Sequence, residues 1–189
     1  MSNRAKQPER SLVTGPLVEA RSRRERGASV RLPRLSLATL CRRARATLIA
    51  AGRADVELSL LVTTDGPMQE LNQRWRQEDR PTDVLSFPAA GEELFLPPGA
   101  PRPLGDVVIN LDAVARQALE EVPQRLARLG VHVRAGQWGP LEEASFLIIH
   151  GILHLLGHDH ATPEEEGRMV AEERRLMEIF LQPPWTRRR

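Results

Sequence analysis

Apolar and polar positions alternate along the chain in a way that predicts short strands separated by amphipathic helices. Between Val56 and Val62, apolar residues at every second position alternate mainly with polar ones, which is the period of a strand with one buried face. Similar β-prone runs occur at residues 28–32, 82–88 and 105–110. Apolar residues recur at helical spacing in stretches that start near Ser36, Asp65, Asp112, Leu141 and Thr162. This order favours an α/β (α+β) fold, with a small mixed sheet of about four strands packed against helices.

Proline and glycine predict where several of these helices end or bend. Arg80-Pro81 is expected to stop the second helix, because a proline ring clashes with the preceding helical turn. Pro123 is expected to bend or divide the helix predicted over 112–129. Gly157 follows the last apolar positions of the fourth helix, where a glycine in the left-handed conformation can end the helix and turn the chain back.

Composition divides the chain into one domain with polar extensions. Residues 1–27 are rich in arginine and serine and have little apolar periodicity, which is typical of a disordered arm. Residues 28–182 are long enough to bury a sizeable core and are expected to form a single domain. Residues 183–189 end in consecutive arginines and are interpreted as a basic tail.

Charge and cysteine content restrict the classes of protein to consider. The formal net charge is only +2, yet Lys6 is the single lysine among 27 basic residues. Arginine binds phosphate through a planar fork, so a polyanionic partner is expected, although genome composition explains the arginines equally well. The single Cys41 excludes an internal disulfide framework.

Membrane and targeting signals are missing from the sequence pattern. The apolar run that surrounds the histidines of residues 150–160 is too short to span a bilayer, and no segment resembles a signal peptide. We therefore expect a cytoplasmic protein.

Four of the five histidines lie in one short stretch, His-Gly-Ile-Leu-His-Leu-Leu-Gly-His-Asp-His at residues 150–160. On a helix, His150 and His154 lie one above the other on the same face, so both imidazoles can bind one ion. A chain reversal at Gly157 brings His160 to the same ion and leaves one coordination position open. An open position is typical of catalytic zinc, where bound water has a pKa of about 7. The pattern therefore predicts one metal ion per chain, for which we expect Zn²⁺, although imidazole ligands also suit nickel, copper and iron.

Other interpretations of this stretch remain open at the level of sequence. Apolar neighbours also suit core histidines, although several neutral imidazoles would each need a partner in a dry interior. The spacing matches metzincin peptidases, but these carry glutamate directly after the first histidine, where this chain has Gly151. His158 is a candidate for a contact with substrate or with a ligand, and as a fourth ligand it would close the site. Asp83 and Asp159 are candidates for hydrogen bonds that orient the histidines.

The histidine stretch occurs together with three other blocks: Leu-Asn-Gln-Arg-Trp-Arg at 71–76, Thr-Asp-Val-Leu-Ser-Phe-Pro at 82–88 and Leu-Gly-Asp-Val-Val-Ile at 104–109. In this order the four blocks resemble the YbeY family of bacterial endoribonucleases, also called rRNA maturation factors. The similarity extends over roughly Val56 to Phe180. It implies a metal-dependent endonuclease that is selective for single-stranded RNA and acts in ribosomal RNA processing and ribosome quality control.

The same resemblance implies roles for individual residues. The zinc ligands would be His150, His154 and His160, and Arg76 would be the essential catalytic arginine. Arg76 suits that role because a guanidinium group pairs with phosphate oxygens and does not lose its proton. The family commonly has tyrosine where His158 stands, and this chain contains no tyrosine.

The expected partners are single-stranded RNA, ribosomal RNA with the small ribosomal subunit, and ribosome-associated proteins, with no membrane. Two other classes of function remain as alternatives. The first is a noncatalytic ribosome-assembly factor whose metal is structural and fully coordinated by protein. The second is a zinc peptidase-like hydrolase, against which the glycine at position 151 argues.

Overall fold

The computed structural model describes residues 15–23, 32, 35–89, 96–97 and 99–181. In this part of the chain, strands and helices follow in the order β1 (Leu17–Ser22), α1 (Leu37–Ala50), β2 (Val56–Thr63), α2 (Asp65–Arg76), β3 (Val84–Pro88), β4 (Arg102–Asn110), α3 (Leu111–Glu120), α4 (Val122–Leu129), α5 (Pro140–Leu155) and α6 (Pro163–Met177). The expected small mixed sheet with packed helices is confirmed. None of the described helices is both long enough and apolar enough to cross a membrane.

The strands form one mixed sheet in the order β1-β2-β4-β3. β1, β2 and β4 run parallel to one another, and β3 pairs with β4 in the antiparallel direction. β3 is therefore an edge strand, and its first residue, Val84, lies opposite Ile109 near the carboxyl end of β4. The start of β3 thus lies at the same end of the sheet as the loops that follow the parallel strands.

Alternate residues of the strands divide the core between the two faces of the sheet. Val107 and Ile109 of β4 belong to the larger core, to which α1, α5 and α6 also contribute. Val108, between them, faces the other way and packs with Met68 of α2 and Leu85 of β3. The helices α5 and α2 consequently cover opposite faces of the sheet at its β4 side.

α5 is central because it packs against β3 and β4 of the sheet and also against the helices α1, α3 and α6. Its first turn contains Glu143, which is fully buried. The Glu143 carboxylate accepts hydrogen bonds from Arg125 at 2.6 Å and from the indole of Trp138 at 2.8 Å, so its charge is compensated inside the protein. These contacts fix the start of the helix that carries two of the candidate ligands.

Two expectations about individual elements are wrong. Residues 17–22 lie within the segment 1–27 that was expected to be a disordered arm, but they form β1, which pairs with β2. Val18 is the only buried residue of β1, so backbone pairing holds this strand and its hydrophobic pattern gives little sign of it. α2 ends at Arg76, before Arg80-Pro81, because Gln77 adopts a left-handed conformation with φ 62°.

The division of the helix predicted over 112–129 is confirmed, since α3 ends before Pro123 and α4 contains it. Residues 1–14, 24–31 and 182–189 lie outside the described part of the chain. With them lie most of the strand predicted over 28–32 and the whole of the basic tail predicted over 183–189. The assignment of residues 28–182 to a single domain stays a prediction.

Candidate metal centre

Three histidines converge at the C-terminal end of α5. His150 and His154 lie on α5, and His160 lies in the loop before α6. One ring nitrogen of each lies within 4.8 Å of those of the other two. The Nε2 atoms of His150 and His154 are 3.2 Å apart. This distance is close to the roughly 3.3 Å expected for two imidazole nitrogens bound at about 2.0 Å to a tetrahedral zinc ion.

The loop that carries His160 is fixed at both ends. Gly157 has φ 88°, as its predicted role in ending the helix requires, and the backbone N–H of His158 donates a 3.0 Å hydrogen bond into the last turn of α5. This arrangement is a Schellman motif. At the other end, the hydroxyl of Thr162 accepts from the N–H of Glu165 and the Glu165 carboxylate accepts from the N–H of Thr162. His160 therefore lies on a short link between two helix caps.

A buried carboxylate orients His150. Nδ1 of His150 lies 2.7 Å from Oε1 of Glu173, a fully buried residue of α6. Arg128 of α4 donates to the other carboxylate oxygen, Oε2, at 2.7 Å. Because an ionised carboxylate can only accept, a neutral His150 carries its hydrogen on Nδ1. Its Nε2 then presents a lone pair to the other two histidines, which is the arrangement typical of a metal-binding histidine.

The surroundings of His154 favour the form of imidazole that binds metals. Burial lowers the pKa of His154 below its ordinary value, and the neighbouring His150 and His160 lower this pKa further. Only the neutral ring offers a lone pair to an ion. Three imidazole nitrogens, with a carboxylate behind one of the rings, fit a divalent ion such as Zn²⁺. The group of three histidines can therefore hold a metal ion.

His158 takes a different position from the other histidines of the motif. Within the described residues, it does not join the group that could hold an ion. Its side chain lines a small pocket together with Glu165 and Arg168. A closed site with four histidine ligands, which a structural metal would favour, is therefore not what this geometry supports.

The two candidate aspartates contact the backbone and an amide rather than the imidazole rings. Oδ1 of Asp159 accepts a hydrogen bond from the backbone N–H of His160 at 2.8 Å. Oδ1 of Asp83 accepts from the N–H of Val84, and its Oδ2 accepts from the side chain of Gln117 in α3. Asp159 thus shapes the loop that carries His160, a candidate ligand, and Asp83 ties the start of β3 to α3.

Gly151 lies where α5 touches the sheet. A Cβ atom at this position would lie 2.8 Å from Cγ1 of Val107 and 3.0 Å from Oγ of Ser86. The Ser86 hydroxyl also donates to the C=O of Gly151 at 3.1 Å. The face on which a metzincin peptidase carries its glutamate is therefore filled by β3 and β4. This packing argues against the peptidase-like alternative more strongly than the missing side chain does.

Arg76 is exposed at the end of α2 and lines a cleft next to the histidines. Asp83 lines this cleft and also the neighbouring one that contains His150, so the two clefts adjoin at Asp83. Arg80 and Arg116 line the same cleft, and each pairs with a nearby carboxylate. Among the described residues, Arg76 has no such partner. Its guanidinium group is therefore available to an incoming anion.

Comparison with known sequences places these residues in a family. A family model described as Endoribonuclease YbeY matches residues 32–180, which include the histidine stretch and Arg76. The chain belongs to the YbeY family. The family membership expected from the four sequence blocks is thereby confirmed.

Three YbeY relatives show the extent of the similarity. Endoribonuclease YbeY of Anaeromyxobacter dehalogenans is 45% identical over 134 residues, which are 71% of this chain and 59% of that protein. The Myxococcus xanthus protein is 45% identical over 136 residues, which are 71% of this chain and 40% of that protein. The Aquifex aeolicus protein is 43% identical over 129 residues, which are 68% and 73% of the two chains. The aligned region thus spans about half the length of the first two YbeY relatives.

This YbeY-family chain is also similar to a solved structure. It is the solution structure of TM1509 from Thermotoga maritima, which is 23% identical in sequence. The alignment covers 83% of this chain and 89% of that one, with a TM-score of 0.44.

Glu173 is the residue of this YbeY-family site that sequence reasoning missed. It lies on the apolar stripe of α6, in line with Met169 and Leu176, which are both buried. A carboxylate is rarely buried without a partner. A glutamate on an apolar stripe therefore indicates a buried donor nearby, and here the donors are His150 and Arg128.

Proposed function

We propose that this YbeY-family chain is a zinc-dependent endoribonuclease that cleaves single-stranded RNA during ribosomal RNA processing. The observation that carries the proposal is the convergence of His150, His154 and His160 beside a cleft that exposes Arg76. The names of the three relatives, each an endoribonuclease YbeY, support the same reaction.

In this proposal, one Zn²⁺ per chain is held by His150, His154 and His160. Zn²⁺ bound by three imidazoles supplies a Lewis acid that activates water near neutral pH and polarises a phosphoryl oxygen. Glu173 holds the ring of His150 so that Nε2 faces His154, and this nitrogen would be the one that binds the ion. Arg128 donates to the other carboxylate oxygen of Glu173 and so pairs this buried side chain with a positive charge.

Arg76 is proposed as the catalytic residue that binds the scissile phosphate. Hydrolysis joins a water oxygen to phosphorus and breaks the bond to a ribose oxygen, which then takes up a proton. Negative charge develops on the nonbridging oxygens during this step. A guanidinium group can stabilise that charge with two parallel hydrogen bonds. Arg76 is suited to do so because it is exposed, lines the cleft and is unpaired among the described residues.

We also propose a cytoplasmic location and a role close to the ribosome. The expected partners are ribosomal RNA, the small ribosomal subunit and proteins associated with it. Membership of the YbeY family and the predominance of arginine among the 27 basic residues support a polyanionic partner.

The proposal is tested by metal content and RNA cleavage in the same preparation. We expect about one zinc per chain by mass spectrometry, loss of cleavage of a labelled single-stranded RNA on chelation, and recovery on zinc readdition. His154→Ala should lose both zinc and cleavage. The matched control is His132→Ala, which removes an exposed histidine outside the group and should retain both.

The role of Arg76 is tested separately. Arg76→Lys should keep zinc but lower turnover about tenfold or more, because lysine keeps the charge and loses the two-pronged contact. Arg45→Lys, on the exposed side of α1, should behave like the unchanged protein.

Cleavage by a zinc-free His154→Ala protein would contradict the mechanism. Stoichiometric zinc without cleavage of any single-stranded RNA would favour the noncatalytic ribosome-assembly role.

A further inference from the structure

Trp75 is a large aromatic side chain that stays exposed next to Arg76. Its exposed fraction is 60%, whereas Trp138, the other tryptophan in the described residues, is 6% exposed. Trp75 lies on the last turn of α2, which Gln77 ends by its left-handed conformation. An exposed tryptophan forgoes the free energy of burial, and Trp75 lies next in sequence to a candidate catalytic residue, where a ligand would cover it.

The ring of Trp75 is held by its neighbours without being covered. Its centroid lies 5.7 Å from that of Phe87 on β3, at an interplanar angle of 59°. The guanidinium carbon of Arg74 lies 5.5 Å from the ring centroid of Trp75, within the range of a cation–π contact. More than half of the side chain still faces solvent. The ring is thus a supported flat surface, with the guanidinium group of Arg74 near it and Arg76 next to it in the sequence.

Two sets of contacts connect Trp75 to the histidine group. Trp75 and Arg76 are consecutive residues. The ring of Trp75 contacts Phe87, and Arg76 lines the cleft. Ser86, next to Phe87, donates a hydrogen bond to the backbone of α5 at Gly151, between the first two histidines. Among the described strands, β3 lies at the edge of the sheet, and α2 with Trp75 and α5 with two of the histidines cover opposite faces at this edge. A ligand that crosses this edge can touch both.

We propose that Trp75 is a stacking platform for a nucleobase of single-stranded RNA, with phosphates on Arg74 and Arg76. This inference rests on the proposed function and adds a binding subsite to it. Every nucleobase has a flat face, so stacking on tryptophan tolerates any sequence. A base can reach the ring only when it is unstacked from its own helix. Trp75 therefore favours single strands over duplexes, whereas the arginines bind the phosphates of both.

The test compares two substitutions at Trp75 on two probes. Trp75→Leu keeps apolar contact with Phe87 but removes the flat face, and Trp75→Phe keeps a smaller face. The probes are a short 2′-O-methyl oligouridine and the same backbone without bases. Trp75→Leu should weaken binding of the oligouridine by about 5- to 100-fold and leave the baseless probe unchanged. The affinity of Trp75→Phe for the oligouridine should stay within a few-fold of that of the unchanged protein, because phenylalanine keeps an aromatic face for the base.

A matched control and a cleavage assay separate the possible failures. Leu119→Ala removes another exposed apolar side chain, 83% exposed on α3, and should leave both affinities unchanged. Equal binding of the oligouridine by Trp75→Leu and the unchanged protein would overturn the platform, as would equal losses on both probes. If the unchanged protein binds neither probe and does not cut unmodified single-stranded RNA with zinc, the proposed function fails as well.

Discussion

Glu173 shows how one buried residue determines the chemistry of a neighbour. Its two carboxylate oxygens each accept one hydrogen bond, from His150 and from Arg128, and no water can replace these donors because the residue is fully buried. The charge of Arg128 compensates the carboxylate, and the carboxylate fixes the tautomer of His150. The ligand geometry at the end of α5 therefore depends on a residue of α6 that does not belong to the candidate ligand group.

Replacing Glu173 with glutamine should weaken zinc binding about 10- to 100-fold. Glutamine has one acceptor oxygen where glutamate has two, so its NH2 group must face either His150 or Arg128, which are both donors. The dissociation constant for zinc is measured by competition with a chromogenic chelator. Glu172→Gln, an adjacent and more exposed change on α6, should leave this constant unchanged. Equal affinities for Glu173→Gln and the unchanged protein would remove Glu173 from the site.

Gln77 holds a conformation that favours glycine. Its φ of 62° ends α2 directly after Arg76, and it is the only non-glycine with positive φ in the described residues. The left-handed conformation costs a side-chain-bearing residue about 1–2 kcal/mol, and glycine adds about 0.5–1 kcal/mol of chain entropy to lose on folding. We therefore expect Gln77→Gly to raise the free energy of unfolding by about 0.5–1 kcal/mol in urea titrations.

The control for Gln77 lies one turn earlier on the same helix. Gln73 is also exposed, but it has the ordinary helical conformation of α2. Gln73→Gly should lower the free energy of unfolding by about 1 kcal/mol. The strain assigned to Gln77 is refuted by a loss of stability at both positions.

At the scale of elements, the sequence could predict the parts of the site that depend on neighbouring residues. The spacing of His150 and His154, the reversal at Gly157 and the cap at Thr162 involve only neighbouring residues. β1 was not predicted because pairing with β2, distant in sequence, holds it. Likewise, the contact of Glu173 with His150 depends on how α6 packs against α5, which no local pattern specifies.

The packing of α5 on the sheet gives a prediction about Gly151. Gly151→Ala places a methyl group 2.8 Å from Val107 and 3.0 Å from Ser86, so α5 must move away from β3 and β4. Overpacking of this kind typically lowers the free energy of unfolding by about 1–3 kcal/mol, although alanine is the better helix former. Urea-induced unfolding followed by circular dichroism measures the change.

A second helical glycine separates packing from helix propensity. Gly167 lies within α6, is exposed, and a Cβ atom there would meet nothing within 4 Å. Gly167→Ala should raise the free energy of unfolding by about 0.5–1 kcal/mol, because only the backbone effect remains. The changes in the free energy of unfolding should therefore have opposite signs at Gly151 and Gly167. A stabilising effect at both would mean that α5 is not closely packed on the sheet.

At the scale of the whole molecule, the candidate site joins parts of the fold that are distant in sequence. α5 and the following loop supply the three histidines, α6 and α4 supply Glu173 and Arg128, and α2 brings Arg76 from the other face of the sheet. The edge strand β3 lies between these two groups. A site built in this way exists only in the folded chain, so an ion that binds to it stabilises the fold as a whole.

Zinc should therefore raise the thermal unfolding midpoint of the protein. An ion present at about 100 times its dissociation constant adds about 2.7 kcal/mol, which corresponds to roughly 5–10 °C for a chain of this size. Differential scanning calorimetry with and without a chelator measures the shift. His154→Ala should show almost none, because it leaves two ligands. Mg²⁺ should have little effect on the unchanged protein, since it prefers oxygen ligands in octahedral geometry. An equal shift with Mg²⁺ would mean that the three histidines are not the site of binding.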